Sequence, residues 1–216
     1  MRVLAVGAHP DDVEIGCGGT LVRFKQKGHE VYILVLTKGE ASGDPWIREK
    51  ECGLSAEIIG AEILFGDLKD TKITDGVETI MAIENVINQL KPDFIFSHSQ
   101  KDSHQDHRNV GFATLSAARR SKRVFLYESP AALREFCPQV FVDVSSTFDI
   151  KMKALSTFNS QTSKPFFMGI NKYEESPSIL RVINAVEGLA IFRGFQAGVQ
   201  LAEAFEVGRF ILEINN

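Results

Sequence analysis

Apolar runs of strand length alternate with stretches of helical periodicity along the first 120 residues. RVLAVGA (2–8) is a continuous apolar run that reads as a buried strand; a helix over Cys17–Lys27 follows and stops at Gly28. VYILVLT (31–37), rich in β-branched residues and apolar on both faces, is a second strand. Such runs belong to parallel sheets covered by helices on both sides. IREKECGLSAEIIG (47–60) has helical spacing and ends at Gly60, AEILFG (61–66) is a third strand, and Asp75–Leu90 is a further helix. Past Pro92 come the strand DFIFS (93–97) and a helix over Asp106–Arg120 that opens on an acidic cap.

The pattern weakens after residue 121. VFLYES (124–129) and QVFVDVS (139–145) read as strands, Ser146–Phe158 and Ser178–Phe192 as helices, Pro165–Pro177 as a long loop and RFILEI (209–214) as a final strand. The alternation predicts an α/β fold, a three-layer α/β/α sandwich with a mainly parallel sheet. A chain of 216 residues suits one domain over 1–216, and no repeat, low-complexity tract or linker interrupts it.

Charge and composition exclude several partners. Lys plus Arg number 24 against 28 Asp plus Glu, a net charge of −4 with no basic run, so neither nucleic acid nor an anionic membrane is expected. No apolar run approaches the roughly 20 residues that span a bilayer, and MRVLAVGA reaches His9 too soon for a signal peptide. Cys17, Cys52 and Cys137 are odd in number and far apart, matching neither a disulfide framework nor a CxxC metal pattern. They read as reduced thiols of a cytoplasmic protein.

Candidate chemistry sits at the strand exits, where open parallel sheets bind their ligands. His9, Thr37 and His98 each lie at or just past a predicted carboxyl end, pointing to one shared cleft. In AHPDDVEIGCGGT (8–20), His9 and Asp12 are three residues apart and converge on one turn, which leaves Asp11 beside them and free. A second cluster, DSHQDH (102–107), offers His104, Asp106 and His107.

Catalytic zinc takes three protein ligands at ~2.0–2.3 Å and keeps one position open for water. His9, Asp12 and one histidine of the second cluster supply such a set; Asp11 would take a proton from the water. The remaining histidine would protonate a leaving amine or steady an oxyanion, with Asp106 orienting its imidazole. A lone His-x-x-Asp is more often a cap or a hydrogen-bonded loop; two such clusters at two strand exits shift the balance to a metal site. The rival is nucleotide binding through GCGGT (16–20), but the dinucleotide spacing puts Leu21 where its third glycine belongs. Close packing of helix on sheet is the better account of these glycines.

The two clusters resemble the signature motifs of the LmbE-like, or PIG-L, zinc-dependent de-N-acetylases, which act on N-acetylglucosamine-type sugars. Similarity continues through TKGEASG (37–43), Arg48 with Glu51, KPDFIFSHS, FVDVS, KMKAL with NSQ, and AEAF (202–205). The resemblance implies a Rossmann-like sandwich, zinc or another divalent metal held by His9, Asp12 and His107, Asp11 as general base, and His104 supported by Asp106 as the electrostatic and acid partner. It brings Arg48 to the acetyl or sugar portion of the ligand, and His98 is expected beside substrate as well. It implies a trimer or hexamer and a small amino-sugar substrate.

Two departures leave the substrate open. Val13 stands where many members have glutamate, with Glu14 one later, as in the bacillithiol-pathway branch, and Gln105 replaces a common proline. The alternatives are an amidase of a sugar-linked thiol conjugate, a non-catalytic nucleotide-binding protein and a metal-binding regulatory module. Trp46, the chain's one tryptophan, suits either a stacking surface for a sugar or a buried anchor for its helix.

Overall fold

The computed structural model describes residues 1–161 and 178–212. In chain order the elements are β1 (Arg2–Gly7), α1 (Asp12–Gln26), β2 (Glu30–Val35), α2 (Pro45–Ile59), β3 (Glu62–Phe65), α3 (Val77–Leu90) and β4 (Phe94–His98). Then come α4 (Gln105–Ala117), β5 (Arg123–Tyr127), β6 (Val140–Asp143), α5 (Phe148–Leu155), a 3-10 turn (Asn159–Gln161), α6 (Ser178–Ala197) and β7 (Ala202–Phe210). The strands form one seven-stranded sheet in the order β3-β2-β1-β4-β5-β7-β6. β1 to β5 run parallel, and β7 pairs antiparallel with both β5 and β6.

Period-two alternation within β1 explains the layers. Val3 and Ala5 pack into a cluster with Leu21, Cys52 and Ile59 from α1 and α2. Leu4 and Val6 pack oppositely, with Ile83 and Ile87 of α3 and Val110 and Ala113 of α4. A strand buried on both faces must be apolar at every position, and burying each such large side chain stabilises by about 1.5–3 kcal/mol. A smaller cluster (Val144, Phe148, Leu155, Val186, Ala190) joins α5 to α6.

The chain winds from β1 outward to β3, then returns to add β4 and β5 on the other side of β1. The exits of β1 and β4 therefore open a crevice at the reversal, the usual ligand position in such sheets. His9 follows β1 and His98 ends β4.

Several boundaries differ from expectation, three of them near the site or the sheet edge. α1 begins at Asp12 rather than Cys17, because Cys17 is where the helix breaks (φ −145°) rather than where it starts. β7 covers 202–210, so the expected final strand at 209–214 lies too late; its residues 213 and 214, like the expected loop at 165–177, fall outside the described residues. α4 opens one residue early, at Gln105.

The break in α1 is closed by a buried ion pair. Glu203 of β7 accepts the N–H groups of Gly19 (2.9 Å) and Thr20 (2.7 Å), capping the helix beyond the break. Lys151 of α5 donates to Ile15 O (2.8 Å) at the end of the segment before it, and to Glu203 Oε1 (2.6 Å). Gly16 lies so close to the Tyr127 ring that an added Cβ would overlap it. Removing one partner of such a pair leaves a buried charge uncompensated. Glu203→Ala is therefore expected to lower stability by about 3–5 kcal/mol in urea unfolding, whereas a neutral effect would show that the break needs no cap.

Candidate metal centre and active site

Asp12, the first residue of α1, lies among three imidazoles. Its Oδ2 is 3.3 Å from His9 Nδ1 and 3.1 Å from His98 Nε2, and its Oδ1 is 3.2 Å from His107 Nε2. The same Oδ2 accepts the His9 N–H at 2.7 Å, which closes the turn between β1 and α1. The far nitrogens of the two outer rings are backed by further acids. His9 Nε2 is 3.0 Å from Asp70 Oδ1 and 3.2 Å from Asp106 Oδ2. His107 Nδ1 is 3.2 Å from Asp102 Oδ2, a contact close enough for an ion pair but angled short of a hydrogen bond. An imidazole with one nitrogen turned inward and the other backed by a carboxylate is the arrangement that metal-ligating histidines adopt.

The donors fit a divalent ion. Among the described residues, three trios bring ligand atoms within 4.8 Å of one another: His9, His104 and His107; Asp12, His98 and His107; His9, Asp70 and Asp106. The expected set of His9, Asp12 and His107 is not itself one of these trios; His107 is shared by the first two, and Asp12 contacts both His9 and His107 as described above. Acids converging on buried rings call for positive charge. Burial works against protonating His107, but Asp12 and Asp102 push its pKa up to about 9. Burial likewise opposes a charge on His9, and hydrogen bonds to Asp106, Asp12 and Asp70 raise it well above the usual range. Against its own burial, Asp12 is held far below the usual carboxylate range by His107 and His98. Asp106 Oδ1 is buried with no partner.

Asp11 stands apart from this set. It caps α1 in a left-handed conformation (φ 100°), a strained backbone for a non-glycine residue, and its side chain keeps 19% of its surface exposed. Burial, and the neighbouring Asp12 charge, raise its pKa to about 7 against the opposing pull of Arg48, whose Nη2 is 3.7 Å away. A carboxylate poised there is suited to take and return a proton at neutral pH.

His104 stands farthest out and is exposed. Its Nδ1 accepts the Asp106 N–H at 3.2 Å as the cap of α4, so the neutral ring carries its proton on Nε2. Burial and the charges on His107 and His9 lower its pKa and keep it neutral. His104 is thus a donor, while His107 presents Nε2 to Asp12.

Three of the expected site residues make contacts within the protein that their expected roles did not include. The Asp106 carboxylate accepts the Thr71 N–H (2.8 Å) and faces His9, whereas only its backbone N–H meets His104. Arg48 is 3% exposed; it donates to Pro10 O (2.8 Å), Gly39 O (3.0 Å) and Ser42 Oγ, and so braces the loop that bears Asp11 instead of reaching into open space. Gly39 has φ +66°, and a Cβ there would strike the Arg48 guanidinium. His98 is 1% exposed and lies behind Asp12, accepting the Ala8 N–H at 3.2 Å; burial and the His107 charge lower its pKa to about 4. Trp46 is no buried anchor, being 80% exposed.

Asp70 and Asp102 were missed from sequence. Both follow strand exits, and Asp102 opens the second cluster, so position past a strand was the available signal.

Residues 4–118, which hold both clusters, match the PIG-L family, GlcNAc-PI de-N-acetylase. The chain belongs to this family. It is 35% identical over 167 residues to "Uncharacterized deacetylase YaiS" of Escherichia coli (strain K12), covering 73% of this chain and 90% of that protein. It is 29% identical over 186 residues to diacetylchitobiose deacetylase of Thermococcus kodakarensis (74% and 70% covered). It is 24% identical over 188 residues to 4-oxalmesaconate hydratase of Pseudomonas putida (73% of each). The crystal structure of a conserved protein from Thermus thermophilus, TT1542, superposes with a TM-score of 0.83 at 27% identity, covering 98% of this chain and 96% of that one. This PIG-L member thus shares its α/β architecture with solved relatives. Among the described residues no helix is long and apolar enough to cross a membrane.

The raised pKa of Asp11 has a consequence for stability. Above its unfolded value of 3.8 the buried carboxyl resists ionising, so the fold loses stability between pH 4 and about 7 and regains none above. In chelator-stripped protein, Asp11→Asn is expected to melt higher than wild type at pH 8 and to lose most of that advantage at pH 4. Asparagine also tolerates the left-handed backbone. Equal pH dependence of melting in the two proteins would show that Asp11 ionises normally.

Proposed function

We propose that this PIG-L member is a divalent-metal-dependent hydrolase, with zinc as the metal, that removes the N-acetyl group from an N-acetylglucosamine-type sugar or conjugate. The observation that carries the reading is the Asp12 carboxylate between His9 and His107, each ring backed by a further acid, with Asp11 alongside and outside that set. Family membership and the named sugar deacetylases among the relatives support the substrate class. His9, Asp12 and His107 would hold the ion, with His98 behind Asp12. When bound, the ion lowers the pKa of a water towards roughly 7 and polarises the amide carbonyl.

The chain's own groups do the rest. Asp11 accepts a proton from the attacking water, whose oxygen forms the new bond to the acetyl carbon. The His104 Nε2–H donates to the oxygen on which negative charge develops. When the C–N bond breaks, the electron pair stays on nitrogen and a proton delivered from Asp11 completes the amine, leaving acetic acid, which loses its proton to solvent as acetate. Arg48 keeps Asp11 and the Pro10 carbonyl in register. Trp46 is an exposed aromatic at the start of α2, the helix that carries Arg48, and the exposed Ile191, Phe192 and Phe195 on α6 support the self-association that the resemblance implies.

A hydratase among the relatives supplies the second reading, in which water adds to a substrate without loss of acetate. Acetate and free amine measured on zinc-loaded protein with a panel of N-acetylglucosamine derivatives separate the two. Acetate release is expected, with activity falling towards acid pH as Asp11 becomes protonated. Asp11→Asn should slow it about 10²–10⁴-fold; unchanged turnover in that variant would remove Asp11 from the mechanism.

Metal content tests the two histidines of the second cluster. His107→Ala is expected to lose zinc. His104→Ala should keep it and slow chemistry about 10²–10⁴-fold. Zinc retained by the first variant and lost by the second would exchange their roles.

A further inference from the structure

His107 can offer Nε2 to a metal only while its ring proton sits on Nδ1. Within 3.2 Å of that Nδ1 lies Asp102 Oδ2, on a buried carboxylate. The Ser129 hydroxyl donates to the same oxygen, and Asp102 Oδ1 accepts the His104 N–H at 2.8 Å. Two hydrogen bonds and the His107 Nδ1 contact, from three parts of the site, therefore converge on one side chain.

The loop that bears Asp102 is fastened from both sides. On one, Asp102 and Ala132 form a β-bridge, Leu133 N–H donates to Lys101 O (2.9 Å) and Ser103 N–H to Ala131 O (3.1 Å). On the other, Glu206 of β7 accepts from the Ser99 hydroxyl (2.7 Å) and the Lys101 ammonium (2.6 Å). A carboxylate delivered by a loop so restrained has little freedom to leave His107.

We propose that Asp102 is a positioning residue for the metal centre: it keeps the His107 ring proton on Nδ1, so that the Nε2 lone pair faces the ion, and its other oxygen sets His104 at the head of α4. The inference rests on His107 being a ligand.

The chemistry asks for an acid here. A carboxylate accepts from Ser129 and His104 and still turns a charged oxygen to His107 Nδ1, whereas an amide has a single acceptor oxygen and an NH2 group that must face one of those three groups. Asparagine would either leave the His104 N–H unpaired or turn its NH2 to His107 Nδ1. The second choice favours the opposite tautomer, with a proton on Nε2 where the ion belongs.

The test uses full-length Asp102→Asn, Ser129→Ala and His107→Ala, stripped and reloaded. Zinc affinity is read by competition with a chromophoric chelator, the His107 tautomer by long-range nitrogen–proton correlation on the zinc-loaded protein, and melting on the stripped protein. Asp102→Asn is expected to weaken zinc about 10–100-fold. Ser129→Ala should cost about fivefold, the loss of one hydrogen bond to the anchor, and it carries the test if Asp102→Asn fails to fold. Wild-type affinity in Asp102→Asn, or in Ser129→Ala where that variant stands alone, overturns the proposal whatever happens to melting, since a merely structural staple would move only the melting temperature. Zinc retained by His107→Ala defeats the underlying reading; zinc lost by His107→Ala but bound normally by Asp102→Asn defeats the role of Asp102 alone.

Discussion

A single carboxylate among three imidazoles, at the point where the sheet reverses direction, governs the arrangement of everything near it. Asp12 touches His9, His98 and His107 within 3.3 Å, and it does so where water is largely excluded. In such surroundings an unbalanced charge is costly, and buried lone pairs cannot face one another without a proton or cation between them. The outer acids answer that demand. Asp70 and Asp106 back His9, and Asp102 approaches the far side of His107 from a loop that is itself fastened to its neighbours. The cluster thereby organises the loops that follow β3, β4 and β5, and not merely the two motif segments.

The framework carries strain on behalf of this cluster. α1 starts abruptly on a left-handed Asp11 so that Asp12 faces inward and Asp11 outward, and it breaks again at Cys17. Neither feature would persist in an isolated helix. The first is braced by Arg48 through the Pro10 carbonyl, and the second by Lys151 and Glu203, a buried pair that satisfies the backbone groups the break sets free. Destabilising features held in place by surrounding structure are what functional sites commonly show.

Family and reaction are separable here. Relatives named as sugar deacetylases and one named as a hydratase match the same chain, so a common fold supports different uses of water. The difference must lie in what holds the substrate. At this centre His104 is exposed, while Arg48 and His98 are buried and bonded to the protein itself.

Much of the layout was legible in the chain itself. Period-two and period-3.6 patterns located β1 to β5 and their helices, because burial on both faces of a parallel strand imposes an apolar run that nothing else in the chain imitates. Spacing placed His9 with Asp12 and brought His104 and His107 to one turn, since three residues is a property of local backbone. Tertiary structure decided what depends on distance between segments remote in sequence. Which acid backs which histidine, whether Arg48 and His98 meet ligand or backbone, and where α1 breaks all turn on contacts between distant segments. Thr71 meets Asp106 across 35 residues, and Gly19 meets Glu203 across 184. A hydrophobic pattern encodes which face is buried; it carries no record of the polar partner that waits there.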